Sequence, residues 1–123
     1  MSKLIASTPF INVSVKVRPG SVPGTYKVET APAVLSIKQP DTVINYQIVD
    51  SGENNIVFNR KNPMTVVPAD NDQLSPPAAG ISGKVLSFND ANTSKMTINI
   101  NLNFVDERGV EFSHDPEVDN DPD

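Results

Sequence analysis

The chain has 123 residues, which fits one domain whose single core removes roughly two-thirds of the unfolded chain's surface from water. It holds no cysteine, so disulfides, thiolate zinc sites and a sulfur nucleophile are excluded. The formal net charge of −5 is unevenly spread: residues 1–113 carry ten acids and ten bases, residues 114–123 five acids and no base, and no basic face offers itself to the phosphates of a nucleic acid.

The opening Met1-Ser2-Lys3-Leu4-Ile5-Ala6 has too short an apolar run for a signal peptide, and no later run is long enough to span a bilayer. A soluble, cytoplasmic protein without a membrane partner is the expectation. Phe10 to Val17 alternates with period two, giving a first strand with Ile11, Val13, Val15 and Val17 on its core face. Arg18-Pro19-Gly20 and Val22-Pro23-Gly24 read as turns, because proline fixes φ and glycine accepts positive φ. Strands are expected at Thr25–Glu29, Val34–Ile37 and Thr42–Ile48, the last with Ile44, Tyr46 and Ile48 on one side. After a turn at Ser51–Asn54 come brief strands at Ile56–Phe58 and Met64–Val67, the second flanked by Pro63 and Pro68 as an edge strand would be.

Pro68 to Gly80 has no strand period and little apolar content, and reads as a long loop. A strand resumes at Lys84–Phe88 and turns through Asn89–Asn92. The clearest pattern of the chain follows, since from Lys95 to Phe104 every even position is apolar and nearly every odd one polar. A turn at Asp106–Gly109 then leads into Val110–Phe112. About nine short strands, with turn signals every ~8–12 residues, predict an all-β fold, an antiparallel, immunoglobulin-like β-sandwich. Eleven prolines and the lack of a helical period argue against helices. Residues 1–113 are expected to form this domain, and residues 114–123 an acidic C-terminal segment.

Familiar catalytic motifs are missing: there is no glycine-rich phosphate loop, no HExxH, and His114 is the one histidine, so no cofactor or resident metal is called for. Chemistry concentrates instead in Ser113-His114-Asp115-Pro116-Glu117. An aspartate carboxyl can attack its own backbone carbonyl carbon, closing a five-membered anhydride and expelling the proline nitrogen, which belongs to a tertiary amide more easily pulled from planarity. A fold accelerates this by holding the carboxyl near its target, by desolvating it, and by placing a proton donor beside the leaving nitrogen. His114 is the candidate donor, and Asp106, Glu107 and Glu111 are candidates to share a proton or orient a water. Lys95 and Lys84 are candidate amines to trap the anhydride as an amide. Hairpin counting about the 106–109 turn puts Asp115 opposite Asn99 or Ile100, so Lys95 reaches it only with a bend or a different strand neighbour. The bland alternative is that an Asp-Pro pair is a turn or strand stop, and that His114 and Lys95 are solvated.

A short β-rich chain ending in Ser113-His114-Asp115-Pro116-Glu117-Val118-Asp119-Asn120-Asp121-Pro122-Asp123, preceded by the Lys95 to Phe104 strand, resembles the small bacterial DP-EP family. The resemblance implies a β-sandwich that cleaves itself at an Asp-Pro bond near its carboxyl end and assembles with itself into oligomers. Carried onto this chain, it places Asp115 and Pro116 on either side of the cut and makes Lys95 the lysine near the new carboxyl. Glu117-Val118 stands where the family name suggests Glu-Pro. The resemblance does not place the carboxylate that activates water, for which Asp106 and Glu111 stay the candidates. The expected activity is an aspartate-dependent endopeptidase acting once on its own chain, with the segment after Asp115 released or retained.

Two other readings come from the residues alone. Asp115, Glu117, Asp119, Asp121 and Asp123 alternate, so an extended tail presents five carboxylates on one side, which together with Asp70 and Asp72 could gather oxygens around calcium. Alternatively the domain is a non-enzymatic assembly module whose edge strands pair between copies of itself.

Overall fold

The computed structural model describes residues 8–122, in which eleven strands are joined by turns and no helix occurs among the described residues. In chain order the strands are β1 (Phe10–Pro19), β2 (Tyr26–Ala31), β3 (Val34–Ile37), β4 (Thr42–Asp50), β5 (Val57–Phe58) and β6 (Met64–Val67). They continue as β7 (Ala78–Ala79), β8 (Val85–Asp90), β9 (Met96–Val105), β10 (Glu111–His114) and β11 (Glu117–Asn120). The opening residues weighed above as a signal peptide, and Asp123, lie outside the described residues.

One sheet runs β2-β1-β4-β8-β7. The other is built on β9. Leu102 pairs with both Met64 and His114, and Asn99 with both Val67 and Glu117. β6 therefore lies along one edge of β9, joined there by β5, while β10 and β11 follow one another along the opposite edge and β3 pairs with β11.

The all-β expectation holds, but the sheets are mixed rather than antiparallel: β1 pairs in parallel with β4, and β3 with β11. Eleven strands also replace the expected nine or so. The added strands are β7 and β11, in segments read as a loop and an acidic tail, whereas the mixed direction has a different source. A period-two pattern marks an extended segment without saying which way its neighbour runs, and parallel partners are distant in sequence because their connection must cross over.

Alternation sends one face of each long strand inward. Val13, Val15, Ile44, Tyr46 and Leu86 from the first sheet meet Leu35, Ile98, Ile100, Leu102, Phe104 and Val118 from the second in one buried cluster. Ile11, expected on the same face as Val13, is only half-buried. Each large apolar side chain so buried stabilises the fold by about 1.5–3 kcal/mol relative to leaving it exposed, which makes this cluster the main cohesive force. Tyr26, Phe112, Phe104 and Phe58 stack in series, with ring centroids 4.5, 5.2 and 5.1 Å apart, and tie β2 of one sheet to the other.

Two segments depart from their expected character. Within the 68–80 stretch, Asn71 and Gln73 are 6% and 3% exposed, Leu74 bridges to Asp90 and packs against the core, and Ala78–Ala79 pairs with β8, so side-chain amides and one apolar anchor order a segment that has no strand period. The acidic end is a strand: β11 lies between β9 and β3, with Val118 at 0% and Asn120 at 2% exposure.

Candidate functional site

The register across the β10–β11 junction is continuous. His114 faces Leu102 and Glu117 faces Asn99, so Asp115 and Pro116 fall opposite Asn101 and Ile100, about a residue beyond where hairpin counting put them. Ile100 N–H donates to the Pro116 carbonyl at 2.9 Å. The reciprocal bond to the Ile100 carbonyl is the one that proline, lacking an N–H, cannot make. A proline inside a ladder thus splits what would be one strand into β10 and β11.

The outer side of this junction is open, because β3 begins at Val34 opposite Glu117. A groove of ≈590 Å³ lies there, with Glu29 and Thr30 of β2, Val34 of β3, and His114, Asp115, Pro116 and Glu117 among its walls. Successive strand residues face opposite sides. Asp115 is accordingly exposed while Pro116 is buried, and His114, half-buried, shares the side of the proline ring. Ladder bonding by Pro116 toward β9 turns the Asp115 carbonyl toward the open edge, where water has access.

Burial pushes the His114 imidazole below its ordinary pKa, an effect partly offset by the neighbouring Asp115 carboxylate. The neutral imidazole therefore prevails at pH 7, and its capacity to donate a proton grows as the solution is acidified. Glu29, ion-paired with Lys27 at 3.6 Å, brings a carboxylate to the groove that sequence reasoning missed. Its strand was foreseen, but nothing local in Thr25–Glu29 signals that this strand crosses over the end of the other sheet. No single-residue signal could have found it.

The remaining candidates lie elsewhere. Asp106 closes the β9–β10 hairpin: its Oδ1 accepts the Arg108 and Val110 N–H groups at 2.9 and 2.8 Å, and its Oδ2 accepts the Tyr26 hydroxyl at 2.6 Å and Arg108 Nη2 at 3.4 Å. The Tyr26 hydroxyl is the leading reason its pKa is held at about 2. A carboxylate so committed anchors a turn and is poorly suited to accept a proton from water. Glu111 accepts from Asn59 Nδ2 at 2.7 Å, and lies four residues from Asp115 along the strand, or about 13 Å. Glu107 accepts the Asn55 N–H at 2.8 Å.

Lys95 Nζ lies 3.9 Å from Asp121 Oδ1, and Lys38 Nζ bonds the other oxygen of the same carboxylate. The lysines therefore gather at the second Asp-Pro pair, Asp121-Pro122, roughly 20 Å along the chain from Asp115. Lys84 is half-buried, in phase with Leu86 and Phe88, but donates to Asn55 Oδ1 at 3.1 Å and to the Ile56 carbonyl. Of the alternating acids, Asp119 accepts from Thr97 and Asp121 is held by lysines, while Asp72 accepts from Gln73 Nε2. Among the described residues no three His, Asp or Glu side chains converge as metal ligands, and no helix is long and apolar enough to cross a membrane.

In comparison with known proteins, the family model of the DP-EP family matches residues 9–122. No curated protein matches the chain.

Proposed function

The chain belongs to the DP-EP family, and on that premise we propose that it is an immunoglobulin-like β-sandwich that cuts itself once, between Asp115 and Pro116. The observation that carries this reading is the junction itself: a buried proline fixed in a ladder by Ile100 N–H, preceded by an exposed aspartate in an open groove. The ladder immobilises the leaving-group side of the bond, while the attacking carboxyl and the carbonyl it attacks stay accessible. Such positioning lowers the entropic part of the barrier.

In the first step a bond forms between an Asp115 carboxyl oxygen and the Asp115 main-chain carbonyl carbon, the bond to the proline nitrogen breaks, and that nitrogen takes up a proton. His114, on the side of the proline ring, is the donor. Water then opens the anhydride, leaving Asp115 with two carboxyl groups. Glu29 and Glu117 are the carboxylates of the groove available to orient that water. Activity in trans is not needed, so each chain reacts once. Self-association fits the open backbone of β2 and β3, each of which pairs on one side only among the described residues.

The test is intact mass during storage near neutral pH and at mildly acidic pH. The expected result is loss of residues 116–123, faster below the ordinary histidine pKa of about 6.5 because His114 must be protonated to donate, and abolished by Asp115→Ala. A chain that keeps its full mass through prolonged incubation at both pH values sinks the reading.

A further inference from the structure

Asp90 ends β8 and Asn120 ends β11, and their side chains meet between the two sheets at 0% and 2% exposure. Asn120 Nδ2 donates to Asp90 Oδ1 at 2.9 Å and to Gln73 Oε1 at 3.3 Å. Those two acceptors fix the orientation of the amide, since exchanging its nitrogen and oxygen would set acceptor against acceptor. Asp90 Oδ1 also accepts the Asn92 N–H at 3.0 Å.

The atoms left over are telling. Asp90 Oδ2 and Asn120 Oδ1 are both buried without a partner, and each is bonded to the same carbon as one of the two atoms that do pair. Two acceptors lying beside a completed N–H···O bond outline an acid–amide pair that lacks one hydrogen. An ionised carboxylate there would bury a charge with no cation in its hydrogen bonds, which is costly. A hydrogen on Oδ2 removes the charge and serves both unpartnered oxygens together. Asn92 Oδ1 and the Tyr46 hydroxyl remain unpartnered, within the few buried exceptions a native domain carries.

We propose that Asp90 is a neutral carboxylic acid which forms a two-bond pair with the Asn120 amide, a proton-dependent clasp between β8 and the strand that follows the Asp115-Pro116 junction. Desolvation raises the Asp90 pKa, opposed in part by the bonds from Asn120 and Asn92. The elements packed around it bring other ionisable groups: Tyr46 on β4, Asp41, whose N–H donates to the Ala91 carbonyl, Asp72 beside Gln73, and Asp121 with Lys38 and Lys95. None of these enters the hydrogen bonds of Asp90. Because the folded-state pKa is raised, the clasp's contribution is complete below the unfolded-state pKa near 3.8 and is lost as pH rises through the folded-state value. Rising pH is therefore what loosens β11.

The experiment uses the full chain in an Asp115→Ala background, so that cutting cannot obscure the result. The carbon-13 carboxyl resonance of Asp90 is followed with pH, and urea unfolding is compared with that of Asp90→Asn, which can form an amide–amide pair at any pH. The expected result is a carboxyl that stays protonated through the ordinary aspartate range. Its folding constant should fall about tenfold per pH unit, relative to Asp90→Asn, between the unfolded- and folded-state pKa values. If Asp90→Asn fails to fold, the carboxyl titration of the Asp90 chain decides alone. A resonance that titrates in the ordinary range, parallel pH curves for the two chains, or stability that depends on sodium or calcium at constant ionic strength would each overturn the proposal, the last by naming a cation as occupant.

Discussion

Replacing Pro116 by alanine separates folding from chemistry. The buried ring gives up the equivalent of two methylenes, about 0.8 kcal/mol each, and the unfolded chain regains freedom worth about 0.4–1 kcal/mol. Against this, residue 116 acquires an N–H facing the Ile100 carbonyl and can complete the ladder bond that proline forgoes, for about 0.5–1.5 kcal/mol. The net loss is about 0.5–2 kcal/mol, which lowers the melting temperature by roughly 2–10 °C for a domain of this size and leaves the urea m-value unchanged. Cleavage responds quite differently, because the leaving nitrogen becomes that of an ordinary secondary amide. Intact mass should show no product over a period in which the parent chain is fully processed. If Pro116→Ala is cut at the parental rate, the leaving-group argument fails. Should it instead lose several kcal/mol or fail to fold, then Pro116 is not a tolerated interruption of a continuous register.

Val118→Ala removes two buried carbon groups and leaves a small void beneath β11, so the urea midpoint should fall by the equivalent of about 2 kcal/mol; an unchanged midpoint would mean that the acidic end is not part of the core. Asp106 is held at about 2, below its unfolded value of 3.8, so it contributes stability above pH 3.8 that is lost as pH falls through about 2. In acid titrations followed by circular dichroism, Tyr26→Phe should flatten that loss, since the Tyr26 hydroxyl is the leading cause of the shift. Lys95→Ala should leave both the rate of cleavage and the melting temperature unchanged, because Lys95 is 82% exposed and Asp121 keeps its bond to Lys38; a slowed cut would return Lys95 to the neighbourhood of Asp115.

The residues that chemistry alone singled out, Asp115, Pro116 and His114, do form one wall of a groove, because they are consecutive and travel together whatever the fold. Those added by guesswork across a distance did not join them. Asp106 and Glu107 share a turn and Glu111 an adjoining strand, yet one turn length further places their carboxylates on Tyr26, Asn55 and Asn59. Lys95 missed for a reason of register: β11 runs antiparallel to β9, so the start of β9 meets the end of β11 and not its beginning. Glu29 comes from a strand more than eighty residues away in the chain and belongs to the other sheet, which no local pattern reports.

Alternation is a property of neighbouring residues, and through it the chain alone determined that its segments are extended, which side chains of β4 and β9 turn inward, and where most turns fall. Which strands lie side by side, and in which direction, depends on contacts among distant residues, so only the packed structure decided the two parallel pairings and the place of β11 between β9 and β3. The end of the chain illustrates the division: its acids dominate any count of charge, but Pro116, Val118 and Asn120 are in phase with one another, and burial follows that phase.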